Sequence, residues 1–382
     1  MDLSITQTNN HTPSPKMDRK IWGKLPFELL ERILSLLPLK TFLSLRSTCK
    51  YFRSLIFSPL FISKHSSSSP ISSFLLLSHP RSPDYLLYDT GLNSWRNFAL
   101  PLNRVLSSSP LLSTSTSLLC FSAMPESSNY GFLIYNMLSR ASRSIKFPEY
   151  GFAWEFTTLI TSSNGYKLFC LTSGSGSAKS CAYVYDSTTR GWSSYEGVRG
   201  TLGYSYHQQG VFFNGCLYFV TREPFLVVSF DLGLGIWEVL EVDLPDELTF
   251  IRLSATIDND NDNEKEKRKR LFMFGGIGRD GISRSMKIWE LDEKVRKWDE
   301  IDSVPELMCR KFGSVCYHNY DHVYCFWHEG MICVCCYNWP EVLYYKVSRR
   351  TWHWLPKCPL LPNKWSCGFK WFSFVPQLHG YV

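Results

Sequence analysis

The chain has 382 residues, of which 44% are hydrophobic and 15% aromatic, and its net charge is +7 at pH 7. This composition excludes a disordered chain, and the length allows more than one domain. The positive excess is too small and too dispersed for a nucleic-acid footprint, so no direct nucleic-acid contact is expected.

The amino-terminal residues 1–18 are predicted to form a disordered tail because they are polar. They contain no apolar core flanked by positive charge, which argues against a secretory signal. No apolar run approaches the ~18 residues of a membrane span. The thirteen cysteines lie mostly in apolar runs, where free thiols behave as small hydrophobic groups. We therefore expect a soluble protein with no membrane contact and no disulfide framework, in the nucleus, the cytoplasm or both.

The segment from Ile21 to Phe61 predicts three short helices. Apolar side chains recur at spacings of three and four after Pro26, at Phe27, Leu30, Ile33, Leu34 and Leu37. The polar face is assigned to Glu28, Glu31, Arg32 and Ser35. Pro38 ends this helix and begins the next, and Ser47 suits the cap of the third. Some forty residues cannot bury all these apolar groups internally, so part of their surface is expected to meet a partner.

The run LPFELLERILSLLPLKTFLSLRSTCKYFRSL resembles an F-box. The resemblance rests on Leu-Pro at Leu25, on Leu-Pro at Leu37, and on Arg46, Cys49 and Lys50 as Arg-x-x-Cys-Lys. It implies an F-box over residues 19–65 that binds a Skp-type adaptor and, through it, a cullin and a RING protein. The adaptor-binding residues that it implies are Leu25, Pro26, Leu29, Leu30, Ile33, Leu34, Leu37, Pro38, Leu45, Cys49 and Phe52. The alternative is that the helices only pack on the rest of the protein.

Residues 66–382 contain a degenerate repeat. Each of six segments starts with an aromatic residue or Leu, usually followed by Asp, and five variable residues then separate this pair from a Trp. The segments end at Trp95, Ser142, Trp192, Trp237, Trp298 and Trp352, so the second has lost its Trp, and the sixth has lost its Asp. They recur roughly every 50 residues, which is the kelch period. Apolar runs rich in β-branched and aromatic residues precede them and predict strands.

One unit contains LFMFGGIGRDG, in which Gly276, Gly278 and Gly281 match the G-x-G-x-x-G of a dinucleotide-binding loop. The following ISRSMKIWELD suits a strand better than the helix that such a loop requires, so nucleotide binding is rejected. The unit instead resembles a kelch repeat, with Gly275 and Gly276 as its glycine doublet, Asp292 as its acid and Trp298 as its tryptophan. The doublet is expected to allow positive φ at a crowded corner.

The predicted fold is therefore mostly β, with a six-bladed kelch-type β-propeller over residues 66–382, give or take one blade, preceded by a small three-helix F-box domain. The last strand, within CGFKWFSFVPQL, is expected to join the first blade and close the ring. The charged stretch from Asp258 to Arg270 is interpreted as a surface insertion in the fifth unit, with a nuclear import signal as the alternative.

The kelch resemblance implies a substrate-binding face built from the turns that lead from the outer strand of one blade to the inner strand of the next. These turns mix aromatic residues with arginines, as binding centres do. The predicted substrate-binding residues are Trp154, Phe156, Tyr204, Tyr206, His207, Phe250, Arg252, Arg310, Lys311, Lys364 and Trp365. A binding face with these residues favours an acidic or phosphorylated protein segment, because Arg pairs bidentately with carboxylates and phosphates. The alternative for each residue is packing between blades.

Together the two resemblances indicate the plant F-box/kelch proteins. They imply a non-catalytic substrate-recognition subunit of a Skp-cullin-F-box ubiquitin ligase, without a cofactor or metal site. A scaffold or transcriptional cofactor without target degradation is one alternative. A kelch-type metal-dependent oxidase is another, but only His207 lies in a channel-facing turn, and no second histidine is expected beside it. Cys333, Cys335 and Cys336 are interpreted as strand residues on alternating faces rather than zinc ligands.

Overall fold

The structure is a computed structural model that describes residues 20, 23–68, 73–82, 84–98, 109–123, 131–148, 154–162, 164–172, 180–198, 202, 207–222, 224–256, 269–362, 366–376 and 382. The chain divides into two compact units, Met1–Pro70 and Ile71–Val382. The predicted tail 1–18 and most of the charged stretch from Asp258 to Arg270 lie outside the described residues. No helix in the described part of the chain is long and apolar enough to cross a membrane.

Between residues 23 and 68, which the structure describes, the amino-terminal unit contains four helices: α1 (Phe27–Ser35), α2 (Leu39–Leu45), α3 (Lys50–Leu55) and α4 (Pro59–Ser68). Pro26 and Pro38 immediately precede α1 and α2, as the proline signals predicted. The structure adds α4 to the three expected helices. The prediction that Ser47 caps the third helix is wrong, because Cys49 Sγ accepts a hydrogen bond from the Phe52 amide at 3.4 Å.

Aromatic packing holds this unit together. Phe42 and Phe61 are fully buried with their ring centroids 4.8 Å apart, and the buried His65 ring lies 5.5 Å from Phe42. Burial lowers the pKa of His65, so the imidazole is neutral at pH 7, with its Nε2 3.1 Å from the Leu37 carbonyl oxygen. Ser35 was assigned to the polar face but is buried, and its hydroxyl donates to the Arg32 carbonyl oxygen at 2.8 Å.

The second unit contains six four-stranded antiparallel sheets, which confirms the six-bladed propeller. The strands of blade 1, from the innermost outward, are β24 (Lys370–Phe374), β1 (Phe74–Ser78), β2 (Tyr85–Asp89) and β3 (Ser94–Phe98). In the same order, those of blade 2 are β4 (Leu111–Ser115), β5 (Leu118–Ala123), β6 (Gly131–Asn136) and β7 (Ser142–Lys146). Those of blade 3 are β8 (Trp154–Ser162), β9 (Gly165–Thr172), β10 (Cys181–Asp186) and β11 (Gly191–Glu196). Those of blade 4 are β12 (Val211–Phe213), β13 (Cys216–Val220), β14 (Val227–Asp231) and β15 (Trp237–Val239). Those of blade 5 are β16 (Leu248–Ala255), β17 (Leu271–Arg279), β18 (Ile282–Asp292) and β19 (Lys297–Ser303). Those of blade 6 are β20 (Val323–His328), β21 (Met331–Cys336), β22 (Trp339–Lys346) and β23 (Thr351–Trp354).

The last strand closes the ring, as predicted. β24 pairs with β1 in antiparallel register, from Phe74 opposite Phe374 to Ser78 opposite Lys370. Six hydrophobic clusters of the described residues each join one pair of adjacent blades, including the pair formed by blades 6 and 1. Each blade therefore buries both of its faces against neighbours, which a single sheet cannot do alone.

The repeated Asp forms the turn between the two outer strands of a blade. Asp231 Oδ1, for example, accepts hydrogen bonds from the amides of Gly233 and Leu234 at 2.7 and 2.8 Å. Asp carboxylates suit such turns because they hold the next amides without help from another strand. Two residues before each segment's last position the backbone has positive φ, at Asn93, Arg140, Arg190, Gly235, Arg296 and Arg350.

The repeated Trp packs between its own blade and the preceding one. Trp192 of blade 3 lies in the cluster shared with blade 2, and its Nε1 donates to the Lys146 carbonyl oxygen at 2.9 Å. Trp237 of blade 4 donates in the same way to the Glu196 carbonyl oxygen of blade 3 at 2.9 Å. The repeat thus encodes contacts between blades as well as the strands themselves.

The glycine doublet lies inside β17, and the expectation of positive φ there is wrong. Neither Gly275 nor Gly276 is among the positive-φ glycines. Glycine suits this position because it has no side chain: a Cβ on Gly276 would lie 2.1 Å from Ser283 Oγ and 2.5 Å from Thr249 Oγ1. Gly281 does have positive φ, of 73°, in the hairpin turn between β17 and β18, and the strand that follows it confirms the rejection of a dinucleotide loop.

Between blades 5 and 6 the chain forms a helix, α5 (Glu306–Val315), and then a short 3-10 turn, Tyr320–His322. Arg310 and Lys311 were placed in a turn before a strand, but both lie within α5. Pro305 precedes the helix, and Cys309 and Phe312 are buried on one of its faces. Their spacing of three is helical and favours this interpretation over a strand.

Candidate functional site

The helical unit exposes a set of large apolar side chains, here called the apolar helix surface. Its members are between 40% and 76% exposed: Phe27, Leu29, Ile33, Leu36, Phe57 and Leu60. Leu29 and Ile33 of α1 and Leu36, which caps its carboxyl end, follow one another at helical spacings of four and three, so they lie on one side. Exposed apolar residues grouped in this way mark an interaction surface.

The residues predicted to bind an adaptor divide into three groups by exposure. Leu29, Ile33, Pro26, Pro38 and Cys49 are exposed. Leu25, Leu30, Leu37, Leu45 and Phe52 are half-buried, whereas Leu34 is only 3% exposed and belongs to the core of the unit. The predicted set omits four exposed members of the apolar helix surface, namely Phe27, Leu36, Phe57 and Leu60. Helical periodicity alone does not reveal which apolar face meets the other helices.

In the propeller, the innermost strands β24, β4, β8, β12, β16 and β20 all begin on one face, here called the front face. Because strands alternate in direction, the turns between the second and third strands of each blade also open there. The turns between the two outer strands open on the opposite, back face. The predicted substrate-binding residues are assigned only to the connections that lead from the outer strand of one blade to the innermost strand of the next.

A four-residue segment, His207–Gly210, crosses the channel at the front face and is here called the strap. Gln208 Nε2 donates to the carbonyl oxygens of Leu253 in blade 5 and Cys325 in blade 6, at 3.3 and 3.2 Å, and its Oε1 accepts from the Cys325 amide at 3.0 Å. Gln209 Nε2 donates to the Leu112 carbonyl oxygen of blade 2 at 2.7 Å. Adjacent strap residues therefore bind blades on opposite sides of the ring.

The remaining blades also contact the strap or its partners. The Gly210 amide donates to Thr158 Oγ1 of blade 3 at 2.9 Å. Lys370 of blade 1 donates from Nζ to the Leu112 carbonyl oxygen at 3.2 Å, the same oxygen that Gln209 binds. Burial lowers the pKa of Lys370 to about 8. The strap thus closes the front end of the channel with satisfied polar groups.

His207 begins the strap and stacks on Tyr337, with centroids 3.9 Å apart and an interplanar angle of 8°. Burial, followed by the charge of Lys370, lowers the pKa of His207 to about 3. The expectation that no second histidine lies beside it is wrong, because His322 Nδ1 is 3.5 Å from His207 Nε2. In the described part of the chain, no group of three or more His, Cys, Asp or Glu side chains is placed to hold a metal ion.

A cleft of about 410 Å³ opens on the front face between blades 4 and 5, and is here called the front cleft. Its walls are Tyr218–Arg222 of blade 4, Thr249–Leu253 of blade 5 and the segment Tyr317–Asp321 that precedes β20, and Gln208 and Gln209 of the strap also line it. The volume is that of a ligand or side-chain pocket.

Arg252 is the buried cation of this cleft. It is 8% exposed, and its guanidinium donates to the carbonyl oxygens of Ile251, Tyr320 and Val323. Burial lowers the pKa of Arg252 to about 10, so the group remains charged at neutral pH. Among the described residues, no carboxylate forms an ion pair with it.

The other predicted substrate-binding residues have different positions. Phe156 and Phe250 line the front cleft, with Phe250 stacked on Tyr320 at 4.4 Å. On α5, Arg310 pairs with Glu306, and Lys311 pairs with Glu341 and lies over the Trp354 ring. Tyr204, Tyr206, Lys364 and Trp365 lie outside the described residues, and for Trp154 only the backbone is described.

Sequence reasoning missed Arg222, Ile282, Tyr317 and both strap glutamines. Arg222 and Ile282 lie in or beside turns between the second and third strands of a blade, which the prediction did not consider. Ile282 and Tyr317 are 52% and 81% exposed. That an exposed aromatic residue and a buried arginine line one cleft becomes visible only after the blades are placed side by side.

The cysteines of β21 alternate between faces, as predicted. Cys333 and Cys335 belong to the cluster between blades 6 and 1, and Cys336 belongs to the cluster between blades 5 and 6. All three are fully buried, and burial raises the pKa of each thiol. They are therefore protonated packing groups at neutral pH.

Comparison with known proteins identifies similarities to both units. Residues 22–64 match the F-box domain family. The chain is 53% identical over 373 residues to the F-box/kelch-repeat protein At5g43190 of Arabidopsis thaliana, covering 96% of this chain and 90% of the relative. It is 24% identical to F-box only protein 6 of Arabidopsis thaliana, covering 90% and 72%. It is 25% identical to Protein ABERRANT PANICLE ORGANIZATION 1 of Oryza sativa subsp. japonica, covering 98% and 92%.

Proposed function

Because the chain belongs to the plant F-box/kelch-repeat proteins, we propose that it is a substrate-recognition subunit of a Skp-cullin-F-box ubiquitin ligase. Its helical unit binds a Skp-type adaptor, which connects it to a cullin and a RING protein. Its propeller binds a target protein.

The apolar helix surface is the observation that carries this proposal. Six large apolar side chains are at least 40% exposed in a unit whose own core is already filled by Phe42, Phe61 and their neighbours. Burying each of them is worth about 1.5–3 kcal/mol before the cost of association is subtracted. Three or four such contacts support a stable complex with an adaptor.

The chain acts by position rather than by catalysis. A target held on the propeller is kept near the ubiquitin-charged enzyme of the same assembly, and this raises the local concentration of the acceptor lysine. The nucleus and the cytoplasm are the proposed compartments. Imaging of a tagged full chain tests them, and a signal confined to a secretory compartment would contradict them.

Adaptor capture tests the proposed assembly. The full chain is co-expressed with a Skp-type adaptor, and Ile33→Asp combined with Leu36→Asp should abolish co-purification because both charges replace exposed apolar groups. Thr41→Asp, on an exposed position of α2, is the control and should retain the adaptor. Equal capture by wild type and the double variant would contradict the proposal.

Target turnover separates degradation from scaffolding. A protein that cross-links to the propeller in cells should accumulate when the proteasome is blocked, and accumulate likewise when the Ile33→Asp, Leu36→Asp variant replaces the wild type. A partner whose level responds to neither change would favour a scaffold.

A further inference from the structure

We propose that the propeller holds its partner away from the ring axis, in the front cleft, and that the occupant is an extended protein segment carrying a carboxylate next to an apolar side chain. The inference deepens the proposed function, because the partner is the target protein of that proposal. It assigns one place on the front face and one chemistry to the binding step.

The axis is unsuitable because the strap already fills it. Gln208 and Gln209 bind main-chain groups of blades 5, 6 and 2, so their side-chain polar atoms are engaged with the propeller itself. A segment entering the channel would have to displace these hydrogen bonds and leave buried main-chain groups unpaired, which is unfavourable. The front cleft lies beside the strap and needs no such displacement.

The charge of the cleft requires a counter-ion. Arg252 is buried with hydrogen bonds to carbonyl oxygens, which satisfy three donors but do not neutralise its charge. Arg222 lines the same cleft, 3.8 Å from Asp321, with both side chains nearly half exposed. Among the described residues that line the cleft, these two guanidinium groups are accompanied by one carboxylate, that of Asp321. An incoming carboxylate balances the charge, and a doubly charged phosphate would lie against Asp321, which favours the carboxylate.

The rim of the cleft favours an apolar side chain next to the carboxylate of the bound segment. Tyr317 lines the cleft at 81% exposure, and Ile282, next to the lining residue Gly281, is 52% exposed. Inside, Phe156 lies 5.8 Å from Phe219, centroid to centroid, and both line the wall. A free inorganic anion or a small acid gains nothing from this surface. A peptide that presents an acidic and an apolar side chain in succession uses both features.

The test uses the full chain purified with a Skp-type adaptor and a phage-displayed library of random linear peptides as the probe. Selected sequences should be enriched in Asp or Glu adjacent to Leu, Ile or Phe. A selected peptide, labelled with a fluorophore, is then titrated with variants by fluorescence polarisation. Arg222→Glu and Tyr317→Ala should each weaken binding about tenfold, which is about 1.4 kcal/mol.

Two back-face variants are the matched controls. Lys294→Glu repeats the charge reversal and Leu234→Ala repeats the apolar truncation, each at an exposed position in a turn between outer strands. Both should bind as the wild type does. Replacing the Asp or Glu of the peptide with Asn or Gln should cost as much as Arg222→Glu, and replacing it with phosphoserine should not restore tighter binding.

Several results would overturn the inference. These are a selection without acidic residues, a peptide whose affinity is unchanged by Arg222→Glu and Tyr317→Ala, and a phosphoserine peptide that binds more tightly than its carboxylate counterpart. Adaptor capture is measured on the same preparations. A chain that retains the adaptor but fails these tests loses the cleft assignment alone, whereas loss of adaptor binding by the wild type counts against the proposed function.

Discussion

The strap makes a quantitative prediction through Gln208. The Gln208→Ala substitution removes its bonds to the carbonyl oxygens of Leu253 and Cys325 and leaves the Cys325 amide without its acceptor. Because that amide is at the innermost strand and partly shielded, we expect a loss of about 3 kcal/mol in the free energy of unfolding. With about 2 cal/mol/K of unfolding entropy per residue over the unit Ile71–Val382, this corresponds to a melting temperature lower by about 5 °C.

Thermal unfolding of the full chain, followed by tryptophan fluorescence, measures this loss. Leu234→Ala, in blade 4, which follows the strap in the chain, is the control; Leu234 is 72% exposed, and the substitution should change the free energy of unfolding by less than about 0.5 kcal/mol. Gln208→Glu should destabilise more than Gln208→Ala at pH 7, because a carboxylate would face two carbonyl oxygens. Burial would raise the pKa of the introduced carboxyl, so the folded state would take up its proton at a higher pH than the unfolded state does. The loss in the free energy of unfolding should therefore shrink as the pH falls. If Gln208→Ala melts with the wild type, the strap does not hold the ring together.

The repeat and the buried groups give three further predictions. Trp192→Phe keeps most of the packing but loses the hydrogen bond to the Lys146 carbonyl oxygen, so urea unfolding should show a loss of about 1 kcal/mol; no change would mean that the bond is replaced by water. Gly276→Ala places a Cβ against Ser283 Oγ inside blade 5 and should cost about 1–3 kcal/mol in the same assay, and a neutral result would contradict the close-packing role of the doublet. Burial lowers the pKa of His328 to about 3, so below the unfolded value of about 6.5 only the unfolded state binds the proton and stability falls as the pH drops from that value. His328→Gln should reduce this pH dependence between pH 7 and pH 5 in urea titrations, and an identical slope would show that other groups dominate it.

Local signals in the sequence carried much of the fold. The pairing of an aromatic residue with Asp, and a Trp at a fixed distance, defines a hairpin because Asp holds the turn and Trp packs on the preceding blade. The contact of the Trp with the preceding blade spans 46 residues, whereas the spacing from the Asp to the Trp is local, so the pattern survives the drift of the repeat. The same holds for α1, whose apolar spacing and preceding proline are local.

The predictions that were wrong concern places where a local sequence signal is compatible with two structures. The glycine doublet suits either a positive φ or a close approach of neighbouring strands, and only the position of Ser283 shows that the second applies. The segment of Arg310 and Lys311 contains both strand and helix formers, and the burial of Phe312 against blades 5 and 6 decides for the helix. Ser47 has a favoured N-cap side chain, but α3 begins at Lys50, so the N-cap position falls on Cys49.

Short-range spacing of apolar, Asp and Trp residues was enough to predict the six hairpin repeats, because such spacing defines turns and strands, and ring closure then predicted the last strand. The strap, the pairing of His207 with His322 and the composition of the front cleft became visible in the tertiary structure alone. Gln208 meets Cys325 across 117 residues of sequence, and no local pattern specifies such a partner. Ring closure brings these residues together, since each blade's position is fixed by packing on both of its neighbours.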